Sequence, residues 1–162
     1  MLVGLLVARR DATDVAAACI FAVGAWTDLL DGYLARRWGV STRTGAWLDP
    51  LADKLLVGAP VVTLVALDRF PLWAAVVVLV REAAIVLLRI WLGTRGAGMP
   101  ARPLAKAKTL TQLTAIFLYI LPLPSAWDAT RLAVLVAATI LTVVTGVDYA
   151  VRARSLLRGA PA

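Results

Sequence analysis

The stretch DLLDGYLARRWGVSTRTGAWLDPLADK, residues 28–54, sets four aspartates, Asp28, Asp31, Asp49 and Asp53, into a chain that is otherwise rich in hydrocarbon. A carboxylate in or beside a lipid-embedded helix is costly, so four in one stretch require compensating cations or a function. Asp28 and Asp31 are an i, i+3 pair, and Asp49 and Asp53 an i, i+4 pair. Each couple therefore lies on one face of its own helix, with Cβ atoms roughly 5–6 Å apart. Two such helices laid face to face point four carboxylates at one another. Unneutralised, the four repel or take up protons; with one or two divalent cations they become a metal cage.

Composition narrows the class. The chain has 162 residues, 61% of them hydrophobic, and a mean hydropathy of +0.83, which predicts an all-α integral membrane protein forming a single domain over residues 1–162. Several apolar stretches reach the length of about 20 residues needed to cross a hydrocarbon layer roughly 30 Å thick. A single cysteine, Cys19, excludes a disulfide framework and a thiolate metal site, and is read as a small apolar filler. The absence of histidine removes the commonest transition-metal ligand and general base. Only oxygen ligands remain, which favours magnesium, manganese or calcium. The net charge of +7 fits basic residues gathered at the cytoplasmic face near anionic head groups. No basic run with interleaved aromatics points to nucleic acid.

Breakers divide the chain into helices. MLVGLLV is too short to span a membrane, and its basic residues follow the apolar run, so a signal peptide is not expected. Thr13 or Asp14 is the expected cap of a helix running to about residue 35. RRWGVSTRT reads as a basic loop, with a second helix over about 45–67. Pro50 kinks that helix if it starts near Ser41, and is a first-turn proline if it starts near Leu48. Further helices are expected over about 72–92, 104–121 and 130–150, separated by DRFP, GTRGAGMPARP and LPLPSAWD. Arg36, Arg37, Arg43, the segment from Arg89 to Lys108, and Arg152, Arg154 and Arg158 fall on one side. Arg9, Arg10, Arg69 and Arg131 fall on the other. The positive-inside rule makes the first side cytoplasmic and puts both aspartate pairs near it.

The stretch also fits a longer pattern: DxxDGxxAR, eight residues, then GxxxDxxxD, filled by Asp28, Asp31, Gly32, Ala35, Arg36, Gly45, Asp49 and Asp53. This resembles the signature of the CDP-alcohol phosphatidyltransferase family. The resemblance implies a bundle of about five to six transmembrane helices, here with a shortened first helix, in the inner (plasma) membrane with the site facing the cytoplasm. Relatives usually carry a longer first helix preceded by an amphipathic segment, and MLVGLLV reads as the tail of that helix. The resemblance further implies that Asp28, Asp31, Asp49 and Asp53 hold Mg2+ or Mn2+, two ions in all, and that Asp53 is also the general base. Gly32, Ala35, Arg36, Thr42 and Gly45 would lie against the CDP-linked lipid, CDP-diacylglycerol. Members are commonly homodimers. The residue types make chemical sense independently: two oxygen-ligated cations clamp a pyrophosphate, small residues let a nucleotide approach, and an arginine fork suits phosphate.

LDPLADKLL, REAAIVLLR, MPARPLAKAKTLTQLTAI and GVDY look like the branch of the family whose acceptor is glycerol 3-phosphate. Arg81, Arg89, Lys106 and Lys108 are the candidates for that acceptor's phosphate. Two alternatives stand beside it: a cardiolipin-forming enzyme of the same fold using phosphatidylglycerol, and a non-catalytic membrane homologue. Structural readings compete at each residue. The aspartates would form salt bridges with Arg36, Arg37, Arg43 and Lys54. Arg81 and Glu82, adjacent in an apolar helix, would each pair with another helix. Arg102, Lys106 and Lys108 would touch head groups. Asp148 is expected to pair with Arg152 at i, i+4. Trp73, Trp91 and Trp127 read as interfacial anchors, and Trp26 and Trp47 as boundary packing beside the aspartates.

Overall fold

The computed structural model describes residues 1–8, 10–38, 45–94 and 103–159, without the side chains at 28–29, 31–38, 45–53, 103 and 156–159. The described backbone is helical throughout, with no strand. A short helix α1 (Leu2–Val7) precedes α2 (Asp11–Trp38), α3 (Gly45–Ala66), α4 (Leu72–Gly93) and α5 (Pro103–Ile120). A single 3-10 turn (Ser125–Trp127) then leads into α6 (Asp128–Gly159).

Local chemistry sets these limits. Neither Thr13 nor Asp14 begins α2, which starts at Asp11. Thr13 instead caps from inside the first turn, its Oγ1 accepting from the Arg10 N–H at 3.3 Å. With no proline between Asp11 and Trp38, the helix continues past the expected end near residue 35, to Trp38. α3 starts at Gly45, so Pro50 falls in the second turn, where its missing N–H leaves the Ala46 carbonyl without a helical donor. α6 overruns the expected end near residue 150 by nine residues. Its last turns hold strong helix formers and the Asp148–Arg152 pair, formed as expected with Nε to Oδ1 at 3.0 Å.

α3 ends in a Schellman motif. Asp68 takes the left-handed conformation (φ 57°). Its N–H donates to Val65 O at 3.0 Å and that of Arg69 to Leu64 O at 2.8 Å.

Apolar side chains lie both inside the bundle and on its surface. Phe21, Val61, Leu64, Ile116, Ile120 and Leu135 form an apolar centre. Glu82, Lys108, Gln112, Thr139, Thr142 and Thr145 are also buried, while Val76, Val80, Leu87, Ile140, Val143 and Val147 are exposed. On α6, Thr139, Thr142 and Thr145 face inward and satisfy their hydroxyls by donating to carbonyls four residues back, at 2.7–2.8 Å. Val136, Val143, Val144, Val147 and Val151 face outward. A large apolar exterior around a partly polar interior suits a lipid surround.

Among the described residues one helical segment, Ser125–Ser155, is long and apolar enough to cross a membrane. The expected five to six spans are not met by that criterion. α4 has 22 residues, roughly 33 Å of helix, but carries Arg81, Glu82 and Arg89. Side chains are described in α3 only from Lys54 onward, an apolar piece of 13 residues.

Candidate active site

α4 is a helix of valine, leucine and alanine into which Arg81 and Glu82 intrude. Glu82 is buried, and a lone carboxylate there would be strongly destabilising. Two other helices each supply a cation. Lys54 of α3 donates to Glu82 Oε2, and Lys108 of α5 donates to Oε1. Arg81 Nη1 donates to the same Oε1 at 3.1 Å, so three cations converge on one carboxylate. Arg81 and Glu82 therefore pair with each other as well as with other helices, because the long guanidinium stem spans the angle between neighbouring positions. Lys54, considered as a partner for the aspartates, has its ammonium on Glu82.

α6 forms the far wall. Arg81 Nη2 donates to Thr145 Oγ1 at 3.0 Å. Its stem lies against Gly146, where an added Cβ would come within 3.4 Å of Arg81 Cγ. The Tyr149 ring sits one turn further on, with its centroid 5.9 Å from Arg81 Cζ and 5.3 Å from Arg89 Cζ. Both distances suit cation–π attraction. Tyr149 Oη also accepts from Arg89 Nη2 at 2.9 Å. Arg81, Arg89 and Lys108 are thus drawn toward one region, whereas Lys106 is exposed and stands outside the cluster.

The four aspartates occupy the two helices anticipated for them, Asp28 and Asp31 on α2, Asp49 and Asp53 on α3. Their side chains, and those of Gly32, Ala35, Arg36, Arg37, Gly45 and Trp47, lie outside the described residues, as do Thr42, Arg43 and Arg102 altogether. Among the described residues no group of three or more His, Cys, Asp or Glu could hold a metal. α2 and α3 are in contact. At Gly24 an added Cβ would lie 3.1 Å from Leu56 Cδ1, so the absence of a side chain permits the close approach. Trp26, 66% exposed, lines an open apolar groove of about 190 Å3 between α2 and α5 with Phe21, Leu113 and Phe117. Trp73, Trp91 and Trp127 are exposed, as interfacial anchors would be.

The opposite end of the bundle is closed by a different ion pair. Arg69, in the α3–α4 turn, donates to Asp14 Oδ2 at 2.8 Å and to the Ile120 carbonyl at 3.1 Å, joining α2, α3 and α5. Sequence reasoning gave no role to Glu82 as a hub, nor to Thr145 or Tyr149. The available signals were a carboxylate in an apolar run and the aromatic residue of GVDY.

Comparison with known proteins fits this arrangement. The family model for CDP-alcohol phosphatidyltransferase matches residues 1–146. The chain belongs to the CDP-alcohol phosphatidyltransferase family, a family of membrane enzymes. It is 43% identical over 145 residues to the probable phosphatidylglycerophosphate synthase of Mycobacterium tuberculosis, covering 90% of this chain and 69% of the relative. The CDP-diacylglycerol–glycerol-3-phosphate 3-phosphatidyltransferases of Bacillus subtilis and Escherichia coli are each 38% identical to it. The first match covers 83% of this chain and 72% of the relative, the second 86% and 79%.

Proposed function

We propose that the chain transfers the phosphatidyl group of CDP-diacylglycerol to glycerol 3-phosphate, forming phosphatidylglycerophosphate and CMP. The names of its relatives support this reading. The structural observation that carries the choice of acceptor is the collection of Lys54, Arg81 and Lys108 on the single carboxylate of Glu82, with Arg89 beside them on Tyr149. Four cations gathered in this way suit an acceptor bearing a phosphate dianion.

The aspartates supply the other half of the site. Gly24, Asp28 and Asp31 follow one another at i, i+4 and i+7, and Asp49, Asp53 and Leu56 do so at i, i+4 and i+7. Extending the Gly24–Leu56 contact in an antiparallel register sets Asp31 across from Asp49, and Asp28 across from Asp53 to within a residue. An all-oxygen donor set of four carboxylates on two touching helices fits two Mg2+ or Mn2+ ions. Bound there, divalent ions would neutralise the diphosphate and polarise the phosphorus under attack. Asp53 takes the proton of the acceptor hydroxyl as its oxygen attacks the phosphorus next to diacylglycerol. The bond to CMP breaks, and CMP leaves with the electron pair. Gly32, Ala35, Arg36, Thr42 and Gly45 line the path of the CDP-linked lipid, and Lys106 meets the acceptor or a head group at the surface.

The same reading makes α2 to α6 membrane spans, giving a multi-pass protein of the inner membrane. α2 has 28 residues and α6 has 32, both longer than the hydrocarbon layer requires. The basic segments around Arg36, Arg89 to Lys108 and Arg152 support a cytoplasmic site. We further propose a homodimer.

The deciding measurement is divalent-dependent release of CMP from CDP-diacylglycerol in membranes holding this chain, with one acceptor supplied at a time. Glycerol 3-phosphate should support release, and phosphatidylglycerol and glycerol should not. Preference for phosphatidylglycerol would move the chain to the cardiolipin-forming reaction, and no release with any acceptor would overturn the enzyme reading. Asp53→Asn should lower turnover by about 10²–10⁴-fold, the usual worth of a general base, while sparing CDP-lipid binding. Wild-type turnover in that variant would remove Asp53 from the role.

A further inference from the structure

We propose that Tyr149 is a positioning residue for acceptor recognition, holding the guanidinium groups of Arg81 and Arg89 as a paired receptor for the acceptor's phosphate. The inference rests on the proposed use of a phosphorylated acceptor. Arg81 and Arg89 are eight residues apart on α4, so their backbones are separated by about 12 Å along the helix axis. Left to themselves, half-buried Arg81 and exposed Arg89 would repel, and Arg89 would turn into water. The ring of Tyr149, from the neighbouring helix, attracts both, with centroid distances of 5.9 and 5.3 Å.

Three further contacts make this a built arrangement. Tyr149 is only 4% exposed, so its ring is fixed by packing. Its Oη accepts from Arg89 Nη2 at 2.9 Å, which orients one guanidinium and leaves the phenolic proton available to a ligand. Thr145 accepts from Arg81 Nη2 at 3.0 Å, and Gly146 leaves room for the Arg81 stem. Thr145, Gly146 and Tyr149 occupy positions i, i+1 and i+4 of α6, so one helical turn supplies the whole seat. This gives a physical role to the tyrosine of GVDY. Two planar forks and one hydroxyl suit a tetrahedral oxyanion with several acceptor oxygens.

The test compares Tyr149→Phe and Tyr149→Leu with the wild-type chain in the CMP-release assay, varying glycerol 3-phosphate and CDP-diacylglycerol separately. Tyr149→Phe keeps the ring and loses the hydroxyl, and should raise the acceptor KM about fivefold to tenfold, the worth of one such hydrogen bond. Tyr149→Leu also loses the cation–π contacts and should raise it about thirtyfold or more. In both variants KM for CDP-diacylglycerol should change less than about twofold, and kcat at saturating acceptor should fall by less than KM rises. A merely structural tyrosine would instead depress kcat and both KM values together, or leave Phe equal to wild type; either result overturns the proposal. Calorimetric binding of glycerol 3-phosphate without the lipid substrate gives a second readout, with affinity falling in the order wild type, Phe, Leu. If the wild-type chain itself ignores glycerol 3-phosphate, the proposed function fails first, and the inference falls with it. If wild type uses it and Tyr149→Phe is unchanged, only the inference fails.

Discussion

Two charge clusters sit toward opposite ends of this bundle and follow different rules. Arg69 and Asp14 meet one to one, and the remaining Arg69 donor finds the Ile120 carbonyl, so charge is balanced and three helices are pinned together. Glu82 meets Lys54, Arg81 and Lys108, a carboxylate outnumbered by its partners. The first cluster is balanced in charge, with Asp14 Oδ1 left buried and without a hydrogen-bond partner. The second brings three cations from three helices onto one carboxylate, an arrangement compatible with a site for an anionic substrate. Position agrees with this difference: the balanced pair closes the end away from the aspartate motif, and the unbalanced one lies toward the motif's end.

The largest expected effect separates the two clusters. Glu82→Ala strips the counter-charge from buried Lys108 and partly buried Arg81 and Lys54, and should cost about 3–5 kcal/mol of stability, read as a fall in melting temperature in detergent. Glu82→Gln keeps the shape and one acceptor and should lose less. Adding Lys108→Met to Glu82→Gln should restore part of the loss, because the uncompensated cation is then gone. A Glu82→Ala protein as stable as wild type would show that the cluster is solvated and not a buried hub. Asp14→Ala comes next, at about 1–3 kcal/mol, since Arg69 keeps its carbonyl partner and 26% of its side-chain exposure. The acceptor KM of that variant should stay within about twofold of wild type. A larger rise would couple the two ends and undo the contrast.

The same two clusters show how far the sequence could be read. The helices were legible because glycine and proline punctuate long apolar runs, and the starts of α3 to α5 fell within about two residues of expectation. The aspartate motif was legible because its spacing is fixed by helical periodicity. Glu82 was harder: its partners come from positions 28 residues earlier and 26 later, and no local pattern announces a contact of that range. Lys54 was legible only as a partner for the aspartates, whose side chains lie outside the described residues, and its ammonium also reaches Glu82 on α4. Tyr149 stood in a recognised string, yet its use depends on α4 and α6 lying side by side. Asp14 was expected as a cap, and tertiary pairing with Arg69 took it instead.

A third prediction concerns a polar group that neither cluster uses. Gln112 is 2% exposed, and both its amide atoms are buried without hydrogen-bond partners. An unsatisfied amide in an apolar interior is destabilising, so Gln112→Met, close in shape, should gain about 1–2 kcal/mol. It should leave the acceptor KM unchanged, because the small cavity it lines with Val61, Phe70 and Leu135 includes neither Tyr149 nor Glu82. A loss of stability would mean that a bound water satisfies the amide.

The smallest effect belongs to the turn that carries Arg69. Asp68 holds the left-handed C′ position of the Schellman motif, where glycine is ordinarily favoured and aspartate is tolerated. Asp68→Gly removes the Cβ penalty but gives the unfolded chain more freedom, so the net gain should be no more than about 1 kcal/mol. For a chain of this size that is a rise in melting temperature of about 2–4 °C. Asp68→Val places a β-branched side chain at positive φ and should lower stability by more than glycine raises it. Because Arg69 follows directly, the valine variant should also weaken the Asp14 contact, so combining it with Asp14→Ala should cost less than the two losses added. Full additivity would show that the turn's backbone and the ion pair are independent, and that the closed end of the bundle is held by two separate devices.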